Sequence, residues 1–321
     1  MEGLFGSDLA GNPILQNMGG KIANKYLVPP FSLLNTRDGA WQFRKKMWIK
    51  LGIKSELGRD SITYNIGDKK KWDEFKKITV CPNGTRRSIE QDGCFQRYGA
   101  SGASIFDPVL TELMYTWFCP PNGQIIDPFA GGSVRGIVAK YLGFDYWGCD
   151  LSENQIKANI KQAQSIIGKR HKINWECGDS LKKLKNAPKA DFIFTCPPYG
   201  DLEKYSDHKK DLSNMEYSAF ISSLKKIILK STKKLKNNRF ACIVIGDFRD
   251  KKGFYRGFVS DTVQIFQEQG LHLYNECILI NSVGSLPIRI QKQFDSYKKM
   301  GKTHQNVLIF YKGDDPKQMF T

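Results

Sequence analysis

The spacing of apolar and polar residues divides the chain near residue 100. Before that point, Gly, Pro and Asn interrupt short segments, and one stretch is clearly periodic: residues 41–51, where Trp41, Met47, Trp48 and Leu51 alternate with Arg44, Lys45, Lys46 and Lys50. This spacing predicts a basic amphipathic helix. After residue 100 the pattern alternates short apolar runs with longer amphipathic ones. A helix is expected over residues 107–118, followed by a strand QIIDPF, a turn AGGS and a helix VRGIVAKYLG. YWGCD, INWECGD, DFIFTC and RFACIVIGD read as further strands, each apolar enough to be covered on both faces. Ser152 with Gln155 three residues later fits a capping box for the helix after the second strand. ECILINSV and QNVLIFYKG form a late hairpin-like pair around a long basic loop, residues 284–304. The whole predicts an α/β fold: a doubly wound, mainly parallel sheet with a late antiparallel strand, plus a smaller N-terminal region. The expected division is residues 1–100 and 101–321.

Composition narrows the class. No apolar run approaches the roughly 18 residues that a membrane span needs, and the N-terminus lacks the basic-then-apolar order of a secretory signal, so a cytoplasmic protein without membrane attachment is expected. The eight cysteines are scattered singly with no histidine at ligand spacing, which indicates neither a zinc site nor a disulfide framework. The net charge is +17, and residues 1–100 contribute 17 of the 49 Lys and Arg, so both regions are basic enough to face a polyanion. The runs suited to phosphate contact are Arg44, Lys45 and Lys46, the helix carrying residues 225–236, and the loop 289–302.

Two short segments carry chemistry. Asp127, Pro128, Phe129, Ala130, Gly131, Gly132 and Ser133 lie where a strand ends and a helix begins, and in a doubly wound sheet a ligand binds at such a turn. Glycines there let backbone amides approach it. Thr195, Cys196, Pro197, Pro198, Tyr199 and Gly200 end the fourth strand of the alternating region. The two prolines remove two donors and stiffen a segment whose carbonyls can accept from an amino group, and the tyrosine offers a face on which a base can stack.

Together these segments resemble the cofactor and catalytic motifs of the S-adenosylmethionine (SAM) dependent amino-methyltransferases of DNA, which act on adenine N6 or cytosine N4. The resemblance spans roughly residues 104–313. It implies a Rossmann-like class I SAM methyltransferase fold, SAM as cofactor, no metal, and double-stranded DNA as partner, with the target base flipped out. By the same resemblance Asp150 matches the acidic residue that binds the cofactor ribose, Asp179 the polar residue near its adenine, and Phe106 and Asp107 belong to an upstream motif that helps hold the methionine part. Cys196, Pro197, Pro198 and Tyr199 take the catalytic position, although the family usually has Asp, Asn or Ser where Cys196 stands. That departure leaves three roles open for Cys196: a serine-like filler beside an orienting Pro197 carbonyl, a nucleophile, or a sign of a non-catalytic relative that binds nucleic acid. An RNA amino-methyltransferase is the nearest alternative activity. The region before residue 100 resembles extensions attached to viral and mobile-element members of the family, and it is a candidate for DNA recognition.

Overall fold

The computed structural model describes residues 21–54, 63–64, 106–168, 173–200, 203–204, 208, 210–281, 283 and 286–320. Its centre is a sheet built from β1 (Leu33–Asn35), β3 (Gln124–Asp127), β4 (Asp145–Asp150), β5 (Asn174–Cys177), β6 (Ala190–Thr195), β8 (Leu235–Ile245), β9 (His272–Ile280) and β10 (His304–Lys312). Their spatial order is β1-β9-β10-β8-β6-β3-β4-β5. β10 runs antiparallel to both of its neighbours, and every other pairing in this sheet is parallel. A separate pair, β2 (Thr63–Tyr64) and β7 (Glu203–Lys204), joins the region before residue 100 to the segment just after the Pro-Pro-Tyr motif. This is the doubly wound architecture expected, in the Rossmann-like order of class I SAM methyltransferases.

The apolar runs become strands because both faces of the sheet are covered. In β8, Phe240, Cys242 and Val244 face one core while Ala241, Ile243 and Ile245 face the other, and β10 splits in the same way at Val307, Ile309 and Tyr311 against Leu308 and Phe310. With a side-chain period of two and no solvated face, no alternation of polar residues survives in the sequence. The first core is closed by the helices Pro108–Phe118 and Val134–Tyr141 and the second by Tyr217–Thr232 and Phe258–Gln267. Tyr115 lies at the middle of the first, edge-on to Phe144, Phe192 and Phe194, with its hydroxyl donating to the Arg135 carbonyl.

The chain leaves β3 through β4 and β5 on one side, then returns to place β6 on the other side of β3. The point where the direction of winding reverses therefore lies between β3 and β6, and at the carboxyl ends of the strands this is where doubly wound sheets bind their ligands.

Two expectations change. The stretch 284–304, read as a basic loop, contains the helix Leu286–Tyr297. Its Pro287 sits in the first turn, where the lost amide has no intrahelical partner to miss. The amphipathic helix over 41–51 is present as Gly39–Lys50, but its basic residues are not all outward. Arg44 is buried against Glu112, donating through Nε to Oε2 at 2.6 Å, while Trp48 Nε1 reaches the same oxygen at 2.9 Å. The described part of the region before residue 100 is thus packed onto the Pro108–Phe118 helix, and β1 extends the main sheet. Residues 1–20 and most of 55–105, including Ser104, lie outside the described residues.

Candidate functional site

Four loops meet at the carboxyl edge of the sheet: 128–133 after β3, 150–152 after β4, 178–179 after β5 and 196–200 after β6. The first is held open by its own backbone. Gly131 adopts φ +52°, a conformation that favours glycine, and its amide donates to Asp150 Oδ2 at 3.0 Å. The second Asp150 oxygen accepts from Ser152 N at 2.8 Å, and Ser152 in turn caps the Glu153–Ile167 helix through Gln155 N. Asp150 thus ties the glycine turn to the start of that helix. A carboxylate in this position is an acceptor of the kind that suits a ribose diol. Ser133 points the other way, bonding Gln162, and shapes the turn from behind.

Asp127 is the hub beneath this surface. It is fully buried, and one oxygen accepts from Arg135 Nε at 2.6 Å and Tyr146 OH at 2.8 Å. The other accepts from Thr195 Oγ1 at 2.7 Å and Phe129 N at 3.2 Å. Arg135 also donates to the carbonyls of Phe129 and Ala130, so it grips the turn that Asp127 begins. Burial works against the Arg135 charge, but Asp127 and Tyr146 outweigh it and hold the guanidinium charged. Burial and the Asp127 charge push the Tyr146 phenol well up, which keeps it a hydrogen-bond donor. Phe106 lies half-buried, with its ring edge-on to Phe194 and the Arg135 guanidinium 4.4 Å over it. That brings the upstream motif to the same place as the glycine turn.

Asp107 has a different duty at this stage. Its carboxylate caps the Pro108–Phe118 helix through Val109 N and Leu110 N, and its other oxygen takes Lys45 at 2.9 Å and Trp41 Nε1 at 3.3 Å. These partners make it a joint between the N-terminal helix and the upstream motif. Asp179 likewise caps the Ser180–Lys183 helix through Leu181 N, and its second oxygen binds Lys210 at 2.9 Å. Pro128 contributes its carbonyl to Ser180 Oγ, and Phe129 packs into the second core; Gly132 is buried in the turn.

In the loop after β6, Pro197 is buried, while Cys196, Pro198 and Tyr199 are half-buried. Cys196 Sγ lies 3.8 Å from Tyr199 OH, and that hydroxyl also takes a hydrogen bond from Gln305 Nε2 on β10. The Tyr199 ring meets Phe258 edge-on at 6.3 Å. Tyr199 is thus positioned by the strand and helix that flank it.

Sequence reasoning missed Arg135, Tyr146, Gln305 and Lys210, and gave Thr195 no role beyond ending its strand. An arginine in the first turn of an otherwise apolar helix was a signal for Arg135, whereas Gln305 lies more than a hundred residues from its partner and gave none. The proposed phosphate contacts also change. Arg44 is spent on Glu112, and Lys45 on Asp107. Lys234 and Lys236 bond the Ala187 carbonyl and Asp191 at the amino-terminal edge of the sheet, opposite the site. Among the basic runs, the helix Leu286–Tyr297 and its exit remain on the correct edge, because Ile280 and His304 pair there.

The residues present fit SAM: a glycine turn after β3, Asp150 ending β4 and Asp179 two residues after β5. Among the described residues no cluster of three metal-ligating side chains occurs, and no helix is long and apolar enough to cross a membrane.

Residues 122–238 match the family described as RNA cap guanine-N2 methyltransferase. No curated protein matches the sequence. Similar solved structures include TrmN from Thermus thermophilus, 13% identical, covering 64% of this chain and 49% of that one, with a TM-score of 0.44. The present chain therefore spans about half the length of TrmN. A TehB-like SAM-dependent methyltransferase from Corynebacterium glutamicum is 16% identical over 68% of this chain and 94% of that one, with a TM-score of 0.41. Magnesium protoporphyrin IX methyltransferase from Synechocystis, solved with bound SAM, is 11% identical over 76% and 92%, with a TM-score of 0.41. The strand order and the glycine turn fit a SAM-dependent methyltransferase, the match of residues 122–238 is to a methyltransferase family, and S-adenosylmethionine is the cofactor these residues suit.

Proposed function

We propose that the chain methylates the exocyclic amino nitrogen of adenine (N6) or cytosine (N4) in double-stranded DNA, acting on a base turned out of the helix. The observation that carries this reading is the meeting of the Asp127–Ser133 turn with the Cys196–Tyr199 loop at one switch point, locked together by Asp127 and Thr195. SAM, when bound, supplies an electrophilic methyl group on a sulfonium. The chain's part is positioning: a stiff Pro-Pro segment offers carbonyl acceptors to the amino hydrogens, so the nitrogen lone pair can be aimed. The Asp127–Ser133 turn and Asp150 would hold SAM; the amino nitrogen would gain the methyl group and give up one proton to water, the electron pair of the broken C–S bond staying on sulfur. Extruding a base costs a few kcal/mol, which stacking on Tyr199 offsets by about 1 to 3 kcal/mol. The +17 charge supports a polyanionic substrate.

A second reading is favoured by one specific observation, the match of residues 122–238 to a family acting on guanine N2 of RNA caps. That reaction also methylates an exocyclic amino group, so the same loop chemistry serves it. Incubating the protein with labelled SAM and either DNA or RNA separates the two. Label in DNA and little in RNA supports the first reading; label confined to RNA overturns it in favour of the second.

A further inference from the structure

The segment joining β8 to the Phe258–Gln267 helix is a small ordered hairpin. Arg249 and Tyr255 form an antiparallel bridge, Asp250 N donates to the Phe254 carbonyl at 2.8 Å, and Arg256 N donates to the Phe248 carbonyl at 3.1 Å. The turn is closed by Gly253 at φ +99°, and the Asp250 carboxylate accepts from Phe254 N at 2.9 Å. That amide, with those of the turn glycine and its neighbour, holds the Asp250 carboxyl below its ordinary pKa. Arg249 stiffens the hairpin twice, donating to the Gly253 carbonyl at 2.7 Å and stacking its guanidinium 3.9 Å over the Tyr255 ring.

A backbone so fully bonded could bury its aromatic residues, yet it displays them. Phe254 is 69% exposed and Tyr255 49%, with Lys251 and Lys252 exposed beside them. Lys302, from the segment entering β10, lies 5.9 Å from the Tyr255 ring. The root of the hairpin is fixed to the catalytic loop: Phe248 stands so close to Gly200 that a Cβ there would meet its ring at 2.8 Å. Phe248 also packs edge-on against Phe258, the same ring that contacts Tyr199. A rigid apolar tip, flanked by cations and anchored to the loop that receives the base, is the combination by which proteins part a base step while gripping phosphates.

We propose that this hairpin, with Phe254 at its tip, is the wedge that enters the DNA duplex beside the target base and fills the space the base leaves. The proposal rests on the DNA amino-methyltransferase reading and adds to it the element that opens the helix. Tyr199 and Phe254 then have separate tasks: one receives the extruded base, the other holds the gap.

The test compares two duplexes that carry one mapped target site, with the target base either paired or opposite an abasic position. Single-turnover methylation is measured on each for the wild type, Phe254→Ala and Phe254→Trp, with circular dichroism and SAM titration confirming that each variant is folded. The expected result is that Phe254→Ala lowers the ratio of paired to unpaired rate by about tenfold or more, and that Phe254→Trp restores it. A ratio unchanged in Phe254→Ala overturns the wedge. So does a wild type that methylates only unpaired strands, an outcome that leaves the amino-methyltransferase reading intact. A wild type that labels RNA and no DNA, or neither polymer, overturns that reading and the wedge with it.

Discussion

Thr195 donates its hydroxyl to Asp127 at 2.7 Å, and this bond joins the last residue of β6 to the last residue of β3. Both groups are fully buried, so the geometry of one loop is transmitted to the other without water between them. Thr195→Val keeps the shape and removes the donor, leaving a buried carboxylate short of one partner. The expected cost is about 1 to 3 kcal/mol in stability, with methyl transfer slowed about tenfold and SAM affinity changed less. Thermal denaturation, calorimetry and single-turnover kinetics on one preparation check this, and an unaltered rate would remove the coupling of the two loops.

Arg44 illustrates how a charge that looks available in the sequence is already committed. With Arg44 at 7% and Glu112 at 1% exposure, the pair is desolvated, and breaking it strands a buried carboxylate. Arg44→Ala is expected to destabilise the fold by about 3 to 5 kcal/mol. It should leave the slope of log affinity against log salt for nucleic acid unchanged, because Arg44 neutralises no phosphate. Urea denaturation and binding titrations at several salt concentrations test the two halves separately, and a shallower salt slope would return Arg44 to the interface.

The sheet was legible because every buried strand is a short apolar run ended by a chemically specific turn, as at Asp127 and Thr195. The two candidate segments, residues 127–133 and 196–200, stood out for the same reason: their residues are contiguous. What escaped was whatever depends on pairing across the chain. The Arg44–Glu112 and Lys45–Asp107 pairs look, in sequence, like the basic face of a helix. Gln305 looks like one more strand residue until β10 brings it to Tyr199. The helix Leu286–Tyr297 was hidden because its apolar positions are sparse and its amide-poor start, Leu-Pro, reads as a loop.

Asp150 links a test of cofactor binding to the shape of the turn. It accepts from Gly131 N and Ser152 N while ending β4, where a ribose diol would be met. Asp150→Ala should weaken SAM binding by about 1.5 to 3 kcal/mol, equivalent to roughly 10- to 150-fold in Kd. Isothermal calorimetry reads this directly, and equal affinity in the variant would separate Asp150 from the cofactor.

Asp191 offers a pH test away from the site. It accepts from Lys236 Nζ at 2.9 Å, Arg239 Nε at 3.2 Å and Gln124 N at 3.1 Å. Burial alone would raise its pKa, but the bonds from Lys236, Gln124 and Arg239 together hold it below the ordinary value. A lowered folded-state pKa gives stability that is present above the unfolded value, about 3.9, and is lost as pH falls through the folded one. Asp191→Asn should therefore unfold at lower temperature than the wild type at pH 7. The gap should shrink steadily as pH falls below about 4, whereas a pH-independent gap would assign the effect to packing.

The identity of the product turns on Cys196. A thiol is a weak donor and acceptor, so at the position where the resembling family has Asp, Asn or Ser it contributes little orientation to an amino group. Its sulfur lies 3.8 Å from the Tyr199 hydroxyl, within a loop stiffened by Pro197 and Pro198, which is the setting of a small filler. Cys196→Ser is therefore expected to retain measurable activity. Tyr199→Ala should lose most of it, because the stacking that offsets base extrusion disappears, although the Phe258 contact and the Gln305 bond go with it. Gln305→Leu separates those effects: it removes the Gln305 bond while keeping the ring, and a smaller loss than in Tyr199→Ala assigns the larger share to the ring. Nucleoside mass spectrometry on DNA from cells expressing the protein, against a Pro197/Tyr199 double variant, then identifies the base. N6-methyladenine or N4-methylcytosine agrees with direct transfer to nitrogen. Detection of 5-methylcytosine, abolished in Cys196→Ser, would make the thiol a nucleophile and replace direct transfer with a covalent route.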